Sequence, residues 1–257
     1  ETLFKADLIP FPPAPEPDET ETGFTAGWSA GGTAGLRLAE SAEALQSGGI
    51  HISTGPAVII SGTDFFLPFS TGLRFSILPG LDFTGSFTPV FSTESSEDSS
   101  WSAEAGIKYL LNPEAGFFSA AAELSARYGS LEGFSLTAEA PLLFRLNPGE
   151  RPLDILLGPE ITAAPFRADG SPAETGVFRP AAAAGVSLNL DLFRIGISGK
   201  TSFNDFASSA AAEAHFLLQG TPVVLSGFSQ LDFSGAGAAE GAVPVFSAGA
   251  VITLSWF

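Results

Sequence analysis

Along the last stretch of this 257-residue chain every second side chain is apolar. From Pro244 onward, Phe246, Ala248, Ala250, Ile252, Leu254 and Trp256 alternate with Val245, Ser247, Gly249, Val251, Thr253 and Ser255. Successive residues of a strand point to opposite faces, so the pattern predicts a strand with one greasy face and one small, more polar face. The same period of two recurs upstream. It predicts strands at about 50–61, 65–77, 81–91, 101–111, 117–128, 134–146, 153–165, 177–190, 193–203, 207–218, 223–233 and 243–256. Leu-Pro-Gly at 78–80, Asn-Pro-Glu-Ala-Gly at 112–116, Asn-Pro-Gly-Glu-Arg-Pro at 147–152 and Gln-Gly-Thr-Pro at 219–222 carry turn chemistry. Longer polar links at 92–100, 166–176 and 234–242 alternate with these short turns.

The position of the charges distinguishes a membrane barrel from a soluble sandwich, whose core residues would also alternate. The greasy face, illustrated by Phe65, Leu67, Phe69, Leu73, Phe75 and Ile77, carries no charged residue in any predicted strand. A charge at the lipid-facing midplane of a barrel costs about 2–4 kcal/mol, which accounts for that absence. The opposite face holds Arg37, Arg74, Lys108, Arg127, Arg145, Arg179, Arg194 and Lys200, matched by Asp82, Glu104, Glu123, Glu139, Asp154, Glu160, Glu213 and Asp232. Trp28, Trp101, Tyr109, Tyr128 and Trp256 are assigned to an aromatic girdle, which belongs at the membrane interfaces.

Two N-terminal stretches decide the strand count. Residues 24–38 alternate, with Phe24, Ala26, Trp28 and Ala30 on one face, and 2–10 form a weaker candidate. Between them, 11–23 read as a Pro-rich acidic loop, and 39–49 as a short helical link. Single-chain bacterial barrels have even strand numbers. The expected fold is therefore all-β: one closed antiparallel up-and-down transmembrane barrel over 1–257, with fourteen strands. Twelve is the alternative, with the N-terminal part as a periplasmic or lumen segment. The closing strand should meet either 2–10 or 24–38, and that choice fixes the count. Pro56, Pro141, Pro159 and Pro180 fall inside predicted strands, where bulges or early strand ends must accommodate them.

A closing strand that alternates in this way and ends in an aromatic resembles that of bacterial outer-membrane β-barrel proteins, whose chains commonly terminate in Phe. The terminal Phe257 is off the parity of the apolar series that ends on Trp256. In size and pattern the chain resembles small monomeric porin-like channels. That resemblance implies the outer membrane of a diderm bacterium, a lipid surround, a monomeric state and recognition of the C-terminal strand by the barrel-assembly machinery.

Composition narrows the remaining options. There are 24 Phe, 29 Gly and 19 Pro, which favour strands and turns. No apolar run approaches about 18 residues, so a transmembrane helix is excluded. With no Cys and two His, disulfides, thiol catalysis and a tetrahedral zinc site are set aside, and no cofactor is expected. A net charge of −17 argues against nucleic acid. The absence of Met and the first residue Glu1 suggest a processed chain.

Folding each hairpin about its turn sets Arg145 opposite Asp154, Glu139 opposite Glu160, Glu123 opposite Glu139 and Glu104 opposite Glu123. Four carboxylates then line one level of the lumen, with Lys108, Arg127, Arg145 and Arg179 along the same wall and Arg194 and Lys200 farther round it. Like charges directly opposite are destabilising. Three readings of the row are open: a structural charge network, a selective constriction, and a divalent-cation site. His51 and His215 face inward, but Ser is so abundant that a Ser–His pair is expected by chance, and neither is assigned a catalytic role. The expected function is a narrow channel for passive diffusion of small solutes. The alternatives are a non-conducting adhesive, docking or structural barrel, and a hydrophobic-ligand transport barrel with an N-terminal plug.

Overall fold

Alternating greasy and small residues give strands that can close only by burying one face inside and offering the other to lipid. The computed structural model describes residues 35–45, 47–92, 99–112, 117–131, 133–146, 152–172, 178–233 and 244–256. Within them lie β1 (Gly35–Leu36), β2 (Ala39–Glu40), β3 (Ile50–Ser61), β4 (Asp64–Leu78), β5 (Leu81–Ser92), β6 (Ser100–Leu110) and β7 (Phe118–Gly129). Then follow β8 (Gly133–Glu139), β9 (Leu142–Leu146), β10 (Leu153–Phe166), β11 (Phe178–Leu190), β12 (Phe193–Ser202), β13 (Ser208–Leu217), β14 (Val223–Phe233) and β15 (Val245–Trp256). Each long strand pairs antiparallel with the next, and β15 pairs with β3, Trp256 opposite Ile50, to close the barrel. Both β8 and β9 pair with β7 on one side and β10 on the other, so they are two parts of one wall strand. Counted that way, the described residues hold fourteen strands, twelve of them in the wall.

The barrel is the predicted one, and its twelve long strands lie at the predicted positions. The N-terminal stretches behave differently. The wall closes between 50–61 and 245–256, with neither 2–10 nor 24–38 inserted between them. Residues 1–34, including Trp28 and the Pro-rich stretch 11–23, lie outside the described residues, as does Phe257. Nor are the described residues of 39–49 helical. They open with β2, paired to β1 (Gly35 opposite Glu40, Leu36 opposite Ala39), and continue as irregular chain. The prolines are absorbed as expected. Pro141 separates β8 from β9, and its carbonyl accepts the Ala121 N–H at 2.9 Å. The ladder between β3 and β15 is interrupted beside Pro56, between the Ala57–Gly249 and Thr54–Ile252 pairs. Pro159 and Pro180 accept backbone bonds from Ala140 and Phe203 at 3.0 and 2.9 Å.

Burial is inverted relative to a soluble domain. Arg74, Lys108, Asp82 and Asp154 are at most 2 % exposed, whereas Ile197 is 66 % exposed and Phe65, Leu67 and Phe69 are open beside one another. Water would not tolerate that exterior, but hydrocarbon requires it; a closed ladder leaves no unpaired backbone edge to meet lipid. Aromatics gather at both ends of the greasy face. Trp101 packs on Tyr128 at 5.5 Å near the end with the longer links, while Phe193 packs on Phe216 at 4.7 Å and Phe75 on Phe83 at 5.2 Å near the other. Tyr109 and Trp256 lie at that second end too. The start of β3 and the turns at 79–80 and 191–192 also lie there, and the longest links, 167–177 and 234–244, lie at the other end, which makes this the periplasmic end.

Candidate functional site: the lumen and its crossing segment

A wall of eight strands is filled by its own inward side chains; twelve enclose more space. Here a piece of the chain itself enters that space. From the periplasmic end of β3, residues 45 back to 37 cross the lumen, from β4, β5 and β6 on one side to β12, β13 and β14 on the other. At the near end the Leu45 N–H lies 3.1 and 3.2 Å from the two Asp82 carboxylate oxygens, and Arg74 donates to the Glu43 carbonyl at 2.9 Å. Lys108 Nζ lies 3.0 Å from the Glu40 carboxylate and donates to the Ser41 carbonyl at 3.1 Å. Arg145 pairs with Glu43. At the far end the Arg37 N–H donates to Glu213 at 3.0 Å, its Nε donates to Gln230 Oε1 at 2.5 Å, and its guanidinium stacks 3.7 Å over the Phe228 ring. The Leu38 N–H donates to Ser198 Oγ at 3.3 Å. In mid-crossing, Ala39 and Ala42 pack on inward Leu110, Ala121, Leu143, Leu156 and Ala183. This apolar patch is separate from a second inward cluster of Phe228 and Val251, and Ala39 and Ala42 of the segment pack on it.

The inward charges form a linked series beneath and beside that segment. Glu160 is opposite Glu139, and Glu139 opposite Glu123, as the turns predict. Arg145 is opposite Asp154, with Nε 2.8 Å and Nη2 3.1 Å from its carboxylate. The fourth carboxylate does not join the row. Glu104 is opposite Arg127, and it is Lys108 that faces Glu123, 3.1 Å away. The cause is local. The Asn112 side chain takes the Ala120 N–H at 2.6 Å and donates to the Phe118 carbonyl at 2.9 Å, so Asn112 behaves as a ladder residue and the fold point moves towards β7.

Two lysines offset the three aligned acids. Lys108 sits beside Glu123, and Lys200 Nζ reaches Glu160 at 2.6 Å from β12. Arg179 lies opposite Thr162 towards the long-link end, and buried Arg194 donates to Ser187 Oγ at 3.0 and 3.2 Å. Among the described residues no group of three or more His, Cys, Asp or Glu is placed to hold a metal ion. Glu40 and Glu43 are the lumen residues that sequence reasoning missed. The available signal was two acids in an otherwise small and apolar stretch, AESAEAL, next to a lumen rich in bases.

His215 does meet a serine and an acid: Nδ1 is 2.8 Å from Ser226 Oγ, and Nε2 is 3.7 Å from Glu213. These are triad residue types, but the second distance is too long for a hydrogen bond and His215 is fully buried. His51 is likewise buried, opposite Arg74 and Ser255.

Closed wall, lipid-facing exterior and charged interior define an outer-membrane β-barrel. No protein-family model matches the chain, and no curated protein matches it by sequence. Solved structures do match. A structure described as the NanC porin aligns with a TM-score of 0.59 and 8 % identity, covering 79 % of this chain and 98 % of that one. The KdgM porin in complex with disordered oligogalacturonate aligns at 0.51 and 10 % identity, covering 80 % and 99 %. At such identities the likeness is one of fold, the closed antiparallel β-barrel.

Proposed function

We propose that this protein is a porin-like channel through which small solutes diffuse passively, with the inward charges setting which ions pass most readily. The observation that carries this reading is that the wall encloses a polar space it does not fill itself. That space is occupied by a segment of the chain held largely through hydrogen bonds and ion pairs rather than by a continuous greasy core. A barrel serving only as a surface scaffold has no use for such a lumen. Small inward residues support it on the far side, where Ser198, Ala211, Gly249 and Ser247 leave room beside the larger groups. The porin-type fold of the structures it resembles points the same way. The barrel works as a monomer in this reading, inserted through recognition of β15 and surrounded by lipid.

Planar-bilayer recording tests it. Folded protein, identified by altered gel migration on heating, is expected to give unitary currents, and Glu139→Gln with Glu160→Gln is expected to lower the cation preference. Silence from folded protein, with Glu40→Gln/Glu43→Gln silent as well, would sink the proposal. A second reading, transport of a hydrophobic ligand past an N-terminal plug, draws on the lumen segment and its apolar floor. The ionic anchors at both ends of the crossing weigh against it, since a greasy ligand would have to pass between buried charges.

A further inference from the structure

Each charged wall group that grips residues 37–45 at the near end also has a partner inside the wall. Lys108 holds Glu40 of the segment and Glu123 of β7, at 3.0 and 3.1 Å. Arg145 holds Glu43 of the segment and Asp154 of β10. Arg74 holds the Glu43 carbonyl, and through Nε it also holds Asp82 at 2.9 Å. At the far end, Gln230 accepts from Arg37 with its oxygen while its amide nitrogen donates to Asp232 at 2.7 Å.

From this double engagement we infer that residues 37–45 are a displaceable gate, an inference that rests on the channel reading above. Removing the sole partner of a buried charge is costly because the charge is left without compensation. Here, withdrawal of the segment leaves Lys108 with Glu123, Arg145 with Asp154 and Arg74 with Asp82. The groups that do lose their partners, Arg37, Glu40 and Glu43, travel with the segment into water, where they are readily solvated. The apolar hold is light: two alanines and Leu45 are its deeply buried members. A pivot is present as well. Gly48, at φ +86°, donates to the Ser76 carbonyl at 2.9 Å, and Ser76 returns a bond to the Gly49 carbonyl at 3.0 Å. That backbone pair fastens the root of the segment to the end of β4. A permanent filling would be expected to supply wall charges with their only partners and to bury large side chains. At the near end this segment is no wall charge's only partner, and Leu45 is its one large apolar side chain that is deeply buried.

The chain has no cysteine, so a paired substitution gives a clean lock. Leu38→Cys with Ser198→Cys places thiols where the Leu38 N–H and Ser198 Oγ lie 3.3 Å apart. A short bis-methanethiosulfonate would join them, and reductant would release them. In planar bilayers the bridged protein is expected to be closed, with current restored by reductant. In the second arm, Glu40→Gln with Glu43→Gln, which keeps every wall pair, is expected to raise the open fraction about tenfold, as loss of charge-assisted contacts predicts. Equal currents from bridged and reduced protein would overturn the gate and leave the channel standing. If folded bridged, reduced and Glu40→Gln/Glu43→Gln proteins are all silent, the channel reading fails and the gate falls with it.

Discussion

Lys108 is the residue on which wall and segment both depend, and its replacement separates two kinds of contact. It is 2 % exposed and lies between the Glu40 and Glu123 carboxylates. In Lys108→Met the methionine fills most of the volume, but two acids face each other without their cation, with Glu139 in register beside Glu123. Breaking a buried pair by removing one partner costs about 3–5 kcal/mol. Glu40→Gln removes one charge from the same cluster, yet Lys108 keeps Glu123, and the loss is that of one contact with a partner remaining, about 1 kcal/mol. Urea unfolding from lipid vesicles, followed by tryptophan fluorescence and by migration of unheated samples, would measure both. The expected order is a large loss for Lys108→Met and a small one for Glu40→Gln. Equal losses would refute the idea that the wall is internally paired, and unchanged stability in Lys108→Met would refute the ion-pair reading altogether.

Three further substitutions probe the wall. Ile197 is 66 % exposed, a position where an arginine would cost a water-soluble protein almost nothing; here Ile197→Arg is expected to cost about 2–4 kcal/mol in refolding into vesicles, and tolerance of the change would contradict a lipid-facing exterior. A Cβ at Gly55 would meet the Ala250 carbonyl oxygen at 1.9 Å across the β3–β15 seam, so Gly55→Ala is expected to lower the yield of folded barrel sharply. At Gly158 the new atom would meet the end of the Glu139 side chain, 2.3 Å away, which can swing aside. Gly158→Ala should therefore fold and shift ion selectivity; equal folding defects in the two alanine variants would show that side-chain mobility does not separate them.

The wall was legible in the sequence because lipid imposes one rule on every strand at once. Residues 50–61 and 223–233 have the same limits in pattern and structure, since a single charge on the outer face would have broken the series. Register was legible where a turn is symmetric, as at 147–152, which places Arg145 against Asp154. It slipped where Asn112 imitates the backbone, and Glu104 went to Arg127 instead of Glu123. The crossing segment was not legible. Ala, Glu and Leu at 39–45 favour helix by propensity, but in the lumen the bases at positions 74, 108 and 145 draw out an irregular chain that delivers each acid to a cation. Nor could the alternation of small residues in 24–38 reveal that the wall closes without them, because only the pairing of β15 with β3 decides it.

The tilt of the strands gives the inward charges a further property. Glu160 lies midway along β10, its register partner Glu139 ends β8, Glu123 sits lower on β7, Lys108 is near the bottom of β6, and Asp82 adjoins the first residue of β5. Neighbours across the ladder are thus not at equal depth; the series winds downward as a spiral stair. In the channel reading, with residues 37–45 withdrawn, an ion moving along the barrel axis would meet the carboxylates in succession, each at a new depth and a new compass bearing, followed by the ammonium and then the last acid. Its potential along the way is a sequence of small steps rather than a single narrow ring.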